Sequence, residues 1–144
     1  MSAAAELAGL FLTALLSATL LPGGSEAALA AVLALGTADP APAILAATLG
    51  NTLGSAVNWA IGRALARHRD HRLFPVTEAQ FERAAAFYRR WGVWSLLLSW
   101  VPVIGDPLTV VAGVLGTGLL RFVAIVGLAK LLRYLVVAGI VGLF

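Results

Sequence analysis

The sequence predicts an all-α integral membrane protein, an inverted repeat of two units that are each a re-entrant helical hairpin followed by a transmembrane helix. Three observations predict this fold. The chain of 144 residues is 60% hydrophobic and 12% charged, which is too apolar for a soluble domain of this length. Its apolar residues fall into long stretches, two of which are interrupted by Pro and Gly. Its two halves also share short motifs at one fixed offset.

Composition and length exclude several kinds of site. The chain has no cysteine, so disulfides, thiolate zinc sites and cysteine nucleophiles are excluded. Its two histidines, His68 and His71, have Asp70 as the one further ligand nearby, so we predict no metal and no cofactor. The basic segment around them offers little extended surface, so we predict no nucleic-acid partner. The N-terminus lacks the basic residues of a cleaved signal peptide.

Four apolar stretches organise the chain as a single membrane domain. The stretches 40–62 and 119–144 are long enough to cross a bilayer as helices, which takes about 20 residues. In 1–38 and 91–117, the apolar segments on either side of the Pro- and Gly-containing interruption are each too short to cross the membrane alone. We therefore predict two re-entrant hairpins, with one kinked spanning helix as the alternative in each case. The predicted hairpin tips contain Pro22, Gly23, Gly24, Pro102, Gly105 and Pro107.

Segment 63–90 is the one strongly polar part of the chain. It holds most of the arginines, and loops this rich in Arg stay on the cytoplasmic side of a membrane. Thr77 followed by Gln80 predicts a capping box that opens a helix. The apolar face of this helix is predicted to lie on the inner membrane surface and consists of Phe81, Ala84, Ala85 and Tyr88.

The two halves repeat each other at an offset of 80 residues. The shared elements are Pro22 and Pro102, Glu26 and Asp106, and the Leu-Gly-Thr triplets at 35–37 and 115–117. A hairpin returns to its own side of the membrane, and the span that follows crosses it. The second half therefore starts on the opposite side, which predicts inverted repeats with both termini outside and 63–90 inside.

Four ionisable residues lie in the interior of the apolar stretches, away from their outer ends: Glu26, Asp106, Lys130 and Arg133. A charge near the bilayer centre costs at least about 2.5–3.5 kcal/mol, so such residues usually serve function. We predict that the four meet in a central polar cavity, where Glu26 and Asp106 couple transport to protons and the two bases bind an anion. The alternative is that the charges only pair with each other and lock the hairpins.

Helix termini and small residues complete the predicted site. Helices that begin after Pro22 and Pro107 would direct N-terminal amide groups into the membrane, where they attract anions. A phosphate head group is therefore the expected ligand, with Lys130 and Arg133 as counter-charges. Arg63 ends the first span, either as an interface anchor or as a third basic group for the head group.

The motif of Gly50 and Gly54, continued by Asn58 one turn later, predicts close helix packing with one interhelical hydrogen bond. A place for Asn58 in the transport path is the alternative. The Ala- and Gly-rich helix faces also permit a homodimer.

Longer motifs resemble the DedA superfamily, the SNARE-associated membrane proteins, in its short YqaA-like branch. They are Leu-Pro-Gly-Gly-Ser-Glu at 21–26, Gly-Asn-Thr-Leu-Gly-Ser-Ala-Val-Asn-Trp-Ala-Ile-Gly-Arg at 50–63, Ser-Trp-Val-Pro-Val-Ile-Gly-Asp-Pro-Leu-Thr-Val-Val-Ala-Gly at 99–113 and Lys-Leu-Leu-Arg-Tyr at 130–134. The resemblance implies two opposed re-entrant hairpins flanked by spanning helices. It also implies a place in the bacterial inner membrane and transport of a lipid, either undecaprenyl (polyprenyl) phosphate or a phospholipid.

This sequence departs from the larger branch of the family at several positions. The arginines expected around the second hairpin Pro are replaced by Ser99 and Gly105, and the acid expected in the first span is replaced by Ser55. Asp106 stands where Thr is common. Either Lys130 and Arg133 replace the missing arginines, or this branch carries another substrate.

The expected function is translocation of a lipid across the inner membrane, with proton coupling through the buried acids. A proton- or cation-coupled exporter of a small solute is the first alternative, because the inverted repeat fits both. A lipid phosphatase would need a base beside a nucleophile within the membrane, and none is visible, so we predict that the chain is not an enzyme. A structural membrane protein is the remaining alternative.

Overall fold

The computed structural model describes residues 2–19, 24–66, 77–100 and 105–143, and these ranges contain helices and turns without a strand. The prediction of an all-α chain is confirmed within them. The elements are α1 (Ala3–Thr19), α2 (Gly24–Leu35), α3 (Pro40–Leu65), α4 (Glu78–Trp91), a 3₁₀ helix (Gly92–Trp100), α5 (Gly105–Val114) and α6 (Leu119–Leu143). The predicted tip residues Pro22, Gly23 and Pro102 lie outside the described residues.

The helices form two structural units, each with its own apolar core. Unit 1 comprises Met1–Gly54 and Lys130–Phe144, and unit 2 comprises Ser55–Ala129. The boundary falls inside α3 and inside α6, so each of these long helices contributes one part to each unit.

Unit 1 is held together by apolar packing of α1 and α2 with parts of α3 and α6. Its buried core consists of Leu10, Ala14, Leu29, Ala43, Ile44, Ala47 and Tyr134. Glycines let α3 approach α1 closely, because a Cβ atom on Gly50 would collide with the carbonyl oxygen of Phe11, and one on Gly54 would lie 2.6 Å from the carbonyl oxygen of Leu15. Asn51 then donates a hydrogen bond from Nδ2 to the carbonyl oxygen of Ala14 (2.9 Å).

Unit 2 packs α4, the 3₁₀ helix and α5 with the remaining parts of α3 and α6. Its buried core consists of Ala84, Ala85, Leu96, Leu108, Val111, Ala112, Phe122 and Val126. Here α3 and α5 approach each other through a reciprocal pair of glycines. A Cβ atom on Gly62 would collide with the carbonyl oxygen of Val110, and one on Gly113 would collide with that of Trp59.

Each interrupted stretch contains two helical segments that contact one another. The first contains α1 and α2, which share the core of unit 1. The second contains the 3₁₀ helix and α5, which share the core of unit 2. The predicted tip residues in the described ranges lie at helix starts: Gly24 begins α2, Gly105 begins α5, and Pro107 is buried in the first turn of α5.

The helices α2 and α5 end in the same way, 80 residues apart. Gly36 and Gly116 both have positive φ angles, 65° and 81°, a conformation that glycine adopts without strain. Around each of them the same two backbone bonds close the helix: Gly36 N to Leu33 O and Thr37 N to Val32 O, then Gly116 N to Gly113 O and Thr117 N to Ala112 O. This is the Schellman motif, so the repeated Leu-Gly-Thr triplets encode a repeated helix end.

Among the described residues, α6 is the one helix that is both long and apolar enough to span a membrane, from Leu119 to Gly142. Only 22% of the most apolar part of this helix is buried within the structure. Helix α3 has 26 residues, which is long enough, but Asn51, Ser55 and Asn58 make it less apolar. These polar side chains are buried against protein, so they do not lie on the outer face of the helix.

Helix α4 begins with the predicted capping box, which is confirmed. The Thr77 side chain accepts a hydrogen bond from Gln80 N (3.2 Å), and the Gln80 side chain accepts one from Thr77 N (2.9 Å). The apolar face was expected to lie on a lipid surface, but in the structure it packs against the core of unit 2, where Ala84 and Ala85 are buried. Its charged residues Arg89 and Arg90 remain exposed.

Candidate functional site

The candidate site is an ion pair in unit 1 between the Glu26 carboxylate and the Arg133 guanidinium. Glu26 lies in the first turn of α2, where the positive end of the helix dipole favours a carboxylate. Arg133 projects from α6 and contacts Glu26 Oε1 through Nη2. The two side chains keep 25% and 13% of their surface exposed, so the pair is mostly but not completely enclosed.

A short chain of hydrogen bonds reaches Glu26 from the core. The Tyr134 hydroxyl donates to Ser25 Oγ (2.7 Å), and the Ser25 hydroxyl donates to Glu26 Oε1 (3.3 Å). Tyr134 and Ser25 are both completely buried. The Arg133 guanidinium carbon lies 5.6 Å from the centroid of the Tyr134 ring, within cation–π range. We call Ser25, Glu26, Arg133 and Tyr134 the Glu26 cluster.

Sequence reasoning missed Ser25 and Tyr134. The available signal was their adjacency to the two charged residues, since each one directly precedes or follows a member of the ion pair. A serine and a tyrosine are ordinary residues in an apolar stretch, whereas a carboxylate and a guanidinium are conspicuous there.

Lys130 lies on α6 one turn before Arg133 and retains only 1% of its surface exposure. Desolvating an ammonium group is costly, and buried charges are therefore paired or hydrogen-bonded. Among the described residues of unit 1, the Glu26 carboxylate and the basic groups of Lys130 and Arg133 thus lie on facing segments of α2 and α6. An acid beside two bases is a combination suited to proton exchange and anion binding, and both roles stay predictions.

Asp106 occupies the second position of α5 in unit 2, and its side chain lies outside what the structure describes. The structure therefore brings together two of the four predicted charged residues, Glu26 and Arg133, and places Lys130 in the same unit. The meeting of all four residues stays a prediction.

Unit 2 contains a second group of polar contacts, which involves Asn58 and Arg63. Asn58 donates a hydrogen bond from Nδ2 to Thr109 Oγ1 (3.3 Å), which links α3 to α5. Trp59 Nε1 donates to the carbonyl oxygen of Thr117 (2.8 Å), and the Thr117 hydroxyl bonds the hydroxyl of Tyr88. Arg63 is exposed, with its guanidinium carbon 6.0 Å from the centroid of the Trp59 ring. These contacts join α3, α4 and the end of α5.

Within the described ranges, no three His, Cys, Asp or Glu side chains are grouped so that they could hold a metal ion.

Comparisons with known proteins show similarity along almost the whole chain. Residues 21–143 match the family described as the VTT domain. The inner membrane protein YqaA of Escherichia coli (strain K12) is 41% identical over 141 residues, which cover 96% of this chain and 93% of that protein, and YqaA of Shigella flexneri matches equally. An uncharacterized protein of Haemophilus influenzae is 37% identical over 132 residues, covering 87% of this chain and 80% of that protein. No solved structure matches the chain.

Proposed function

The chain belongs to the VTT-domain family, also called the DedA or SNARE-associated family, and from this membership we propose that it translocates a lipid across the bacterial inner membrane. The lipid class that we propose is a phosphate-bearing one, either a polyprenyl phosphate or a phospholipid, with protons as the coupling ion. Transport makes and breaks no covalent bond in the lipid, so the proposed activity is not enzymatic.

The outer surfaces of α3 and α6 support placement in a membrane. Large apolar side chains are exposed on both helices: Leu45, Leu49 and Leu53 on α3, and Leu120, Leu128, Leu132, Leu135 and Ile140 on α6. Contiguous apolar surface of this kind is unfavourable in water and is typical of a membrane-contacting protein. The name of the E. coli relative, an inner membrane protein, agrees with this placement.

We further propose that α3 and α6 both span the membrane, that 63–90 is cytoplasmic, and that both termini are outside. Two features support this topology: the shared helix ends at Gly36 and Gly116, and the concentration of arginines in 63–90. The two interrupted stretches are then re-entrant and enter the membrane from opposite sides.

The Glu26–Arg133 pair is the single observation that carries the proposed transport. A charged pair inside an apolar core is expensive, and inside a membrane such pairs usually mark a substrate or ion pathway. The fully buried Lys130 adds a second positive charge on the same helix. A phosphate head group that approaches this site would exchange its water shell for these two basic groups, while protonation of Glu26 would release Arg133 from its partner.

The test is a flipping assay in liposomes that contain the purified protein. Labelled polyprenyl phosphate and labelled phosphatidylcholine are compared for the wild type, Glu26→Gln and Arg133→Ala. Glu82→Gln is the matched control, because it also replaces a carboxylate by an amide but lies on the exposed face of α4. We expect flipping of the polyprenyl phosphate that is lost in the two site variants and retained in Glu82→Gln.

Other outcomes would redirect the proposal. Equal flipping of both lipids would identify a scramblase that does not select the polyprenyl phosphate over a phospholipid. Absence of flipping in folded wild-type protein would contradict lipid transport and favour an exporter of a small solute or a structural role. Unchanged flipping in Glu26→Gln would exclude a role for this carboxylate.

A further inference from the structure

The Glu26 carboxylate receives two contacts at the same oxygen. Arg133 Nη2 and the Ser25 hydroxyl both approach Oε1, and the Ser25 hydroxyl itself accepts a hydrogen bond from Tyr134. A hydrogen bond received by Ser25 orients its own hydroxyl hydrogen, because the donor occupies one of the oxygen lone pairs. Tyr134 therefore acts on Glu26 through Ser25.

Tyr134 also contacts the other member of the ion pair. Its ring faces the Arg133 guanidinium, while its hydroxyl reaches across from α6 to α2. The tyrosine is completely buried in the core of unit 1, so its position is set by packing rather than by solvent. One rigid side chain thus touches both the arginine and the serine that hold the carboxylate.

From this geometry we infer that Ser25 and Tyr134 are positioning residues that hold the Glu26 carboxylate against Arg133 for transport. This inference rests on the proposed function for its consequence in transport. The hydrogen-bond relay itself concerns the protein alone and can be measured without a substrate. The other titratable residues on segments that pack in this unit are Glu6 on α1 and Lys130 on α6.

The experiment measures the infrared carboxylate band of Glu26 in the purified full chain. The chain has only 7 acidic residues, so the difference between the wild type and Glu26→Gln isolates this band. The same band is then recorded in Ser25→Ala and in Tyr134→Phe. Tyr134→Phe retains the ring in the core and against Arg133 and removes only the hydroxyl.

We expect the Glu26 band to be displaced in both variants, because Oε1 loses or misorients a hydrogen bond. Because Tyr134 acts through Ser25, the double variant Ser25→Ala/Tyr134→Phe should show the same displacement as Ser25→Ala alone. Tyr88→Phe is the matched control. It also removes a partly buried tyrosine hydroxyl that is hydrogen-bonded to a side-chain hydroxyl, but this hydroxyl lies in unit 2. It should leave the Glu26 band in place.

The lipid flipping rate gives the second readout. A hydrogen bond to a charged group is strong enough that its loss should slow transport about tenfold in Ser25→Ala. Tyr134→Phe should slow transport by less, and the double variant should not fall below Ser25→Ala. Tyr88→Phe should retain the wild-type rate.

The two readouts separate failure of this inference from failure of the proposed function. If the wild type flips no lipid, the proposed function fails, while the displaced band would still support the relay. If the wild type transports but Tyr134→Phe leaves both the Glu26 band and the rate unchanged, the inference is overturned and the proposed function stands. Additive effects in the double variant would likewise overturn it, because the residues would then act independently.

Discussion

At the scale of single residues, the Glu26–Arg133 pair decides how unit 1 responds to substitution. A charge that loses its partner in a mostly apolar environment keeps its desolvation penalty and loses the attraction that offsets it. Removal of both charges removes both the desolvation penalty and the attraction between them. The pair therefore makes single substitutions more damaging than a matched double substitution, whatever the transported substrate is.

We expect Arg133→Ala to destabilise the protein in detergent. The loss should be smaller than for a fully buried ion pair, where removing one partner costs about 3–5 kcal/mol, because Glu26 keeps a quarter of its surface exposed. The double variant Glu26→Gln/Arg133→Met should recover most of this loss, since it leaves no unpaired charge. Thermal unfolding followed by tryptophan fluorescence measures both. A double variant as unstable as Arg133→Ala would show that packing, not charge, accounts for the loss.

Sequence reasoning identified part of this site and missed the rest for a physical reason. Charged residues are rare in apolar stretches, so Glu26, Lys130 and Arg133 were found from their positions in the sequence. Hydroxyl groups carry no such signal, because they are uncharged and because Ser is common where transmembrane helices pack together. The role of Ser25 and Tyr134 depends on which helices pack together, and one sequence does not specify that contact.

At the scale of helices, the close approach of α3 to its neighbours depends on missing Cβ atoms. Gly50 and Gly54 lie against backbone carbonyl groups of α1, whereas Gly139 on α6 has no atom within 4 Å of where a Cβ would lie. All three glycines lie within helices. Comparison of Gly50 with Gly139 therefore separates the packing role of a glycine from its general effect on helix stability.

We expect Gly50→Ala to lower the unfolding temperature, because the added methyl group would force α3 away from Phe11. Gly139→Ala should leave it unchanged or raise it, since alanine is better than glycine in a helix interior by roughly 0.5–1 kcal/mol. Both values come from the same thermal unfolding measurement in detergent. Equal effects of the two substitutions would show that α1 and α3 do not need this close approach.

Local sequence signals predicted some helices well and others incompletely. The capping box of α4 was predicted from a short motif whose geometry is self-contained. The Leu-Gly-Thr triplets were recognised only as a repeat, and the structure shows that they end α2 and α5. The first arm of the second interrupted stretch is a 3₁₀ helix, and buried residues such as Leu96 and Ser99 recur at a spacing that both helix types share. Sequence periodicity alone could not separate the two.

At the scale of the whole molecule, the decisive question is how many times the chain crosses the membrane. If the interrupted stretches are re-entrant, two segments cross and the positions 80 residues apart lie on opposite sides. If each interrupted stretch is instead one kinked span, four segments cross, and the same two positions lie on the same side. The two topologies thus differ in whether one or two crossings separate these positions, and they agree in placing the arginine-rich segment inside.

Single cysteines show directly on which side of the membrane each position lies, because the natural chain contains no cysteine and gives no background labelling. Asp39 and Leu119 are exposed, 80 residues apart, and directly precede or begin α3 and α6. In spheroplasts treated with a membrane-impermeant maleimide, we expect Asp39→Cys to be labelled and Leu119→Cys to be protected until the membrane is permeabilised. Glu82→Cys on α4 should behave like Leu119→Cys and serves as the cytoplasmic reference. Labelling of both Asp39→Cys and Leu119→Cys from outside would show that 91–117 crosses the membrane as one kinked span, and it would contradict the re-entrant hairpin that the inverted repeat requires there.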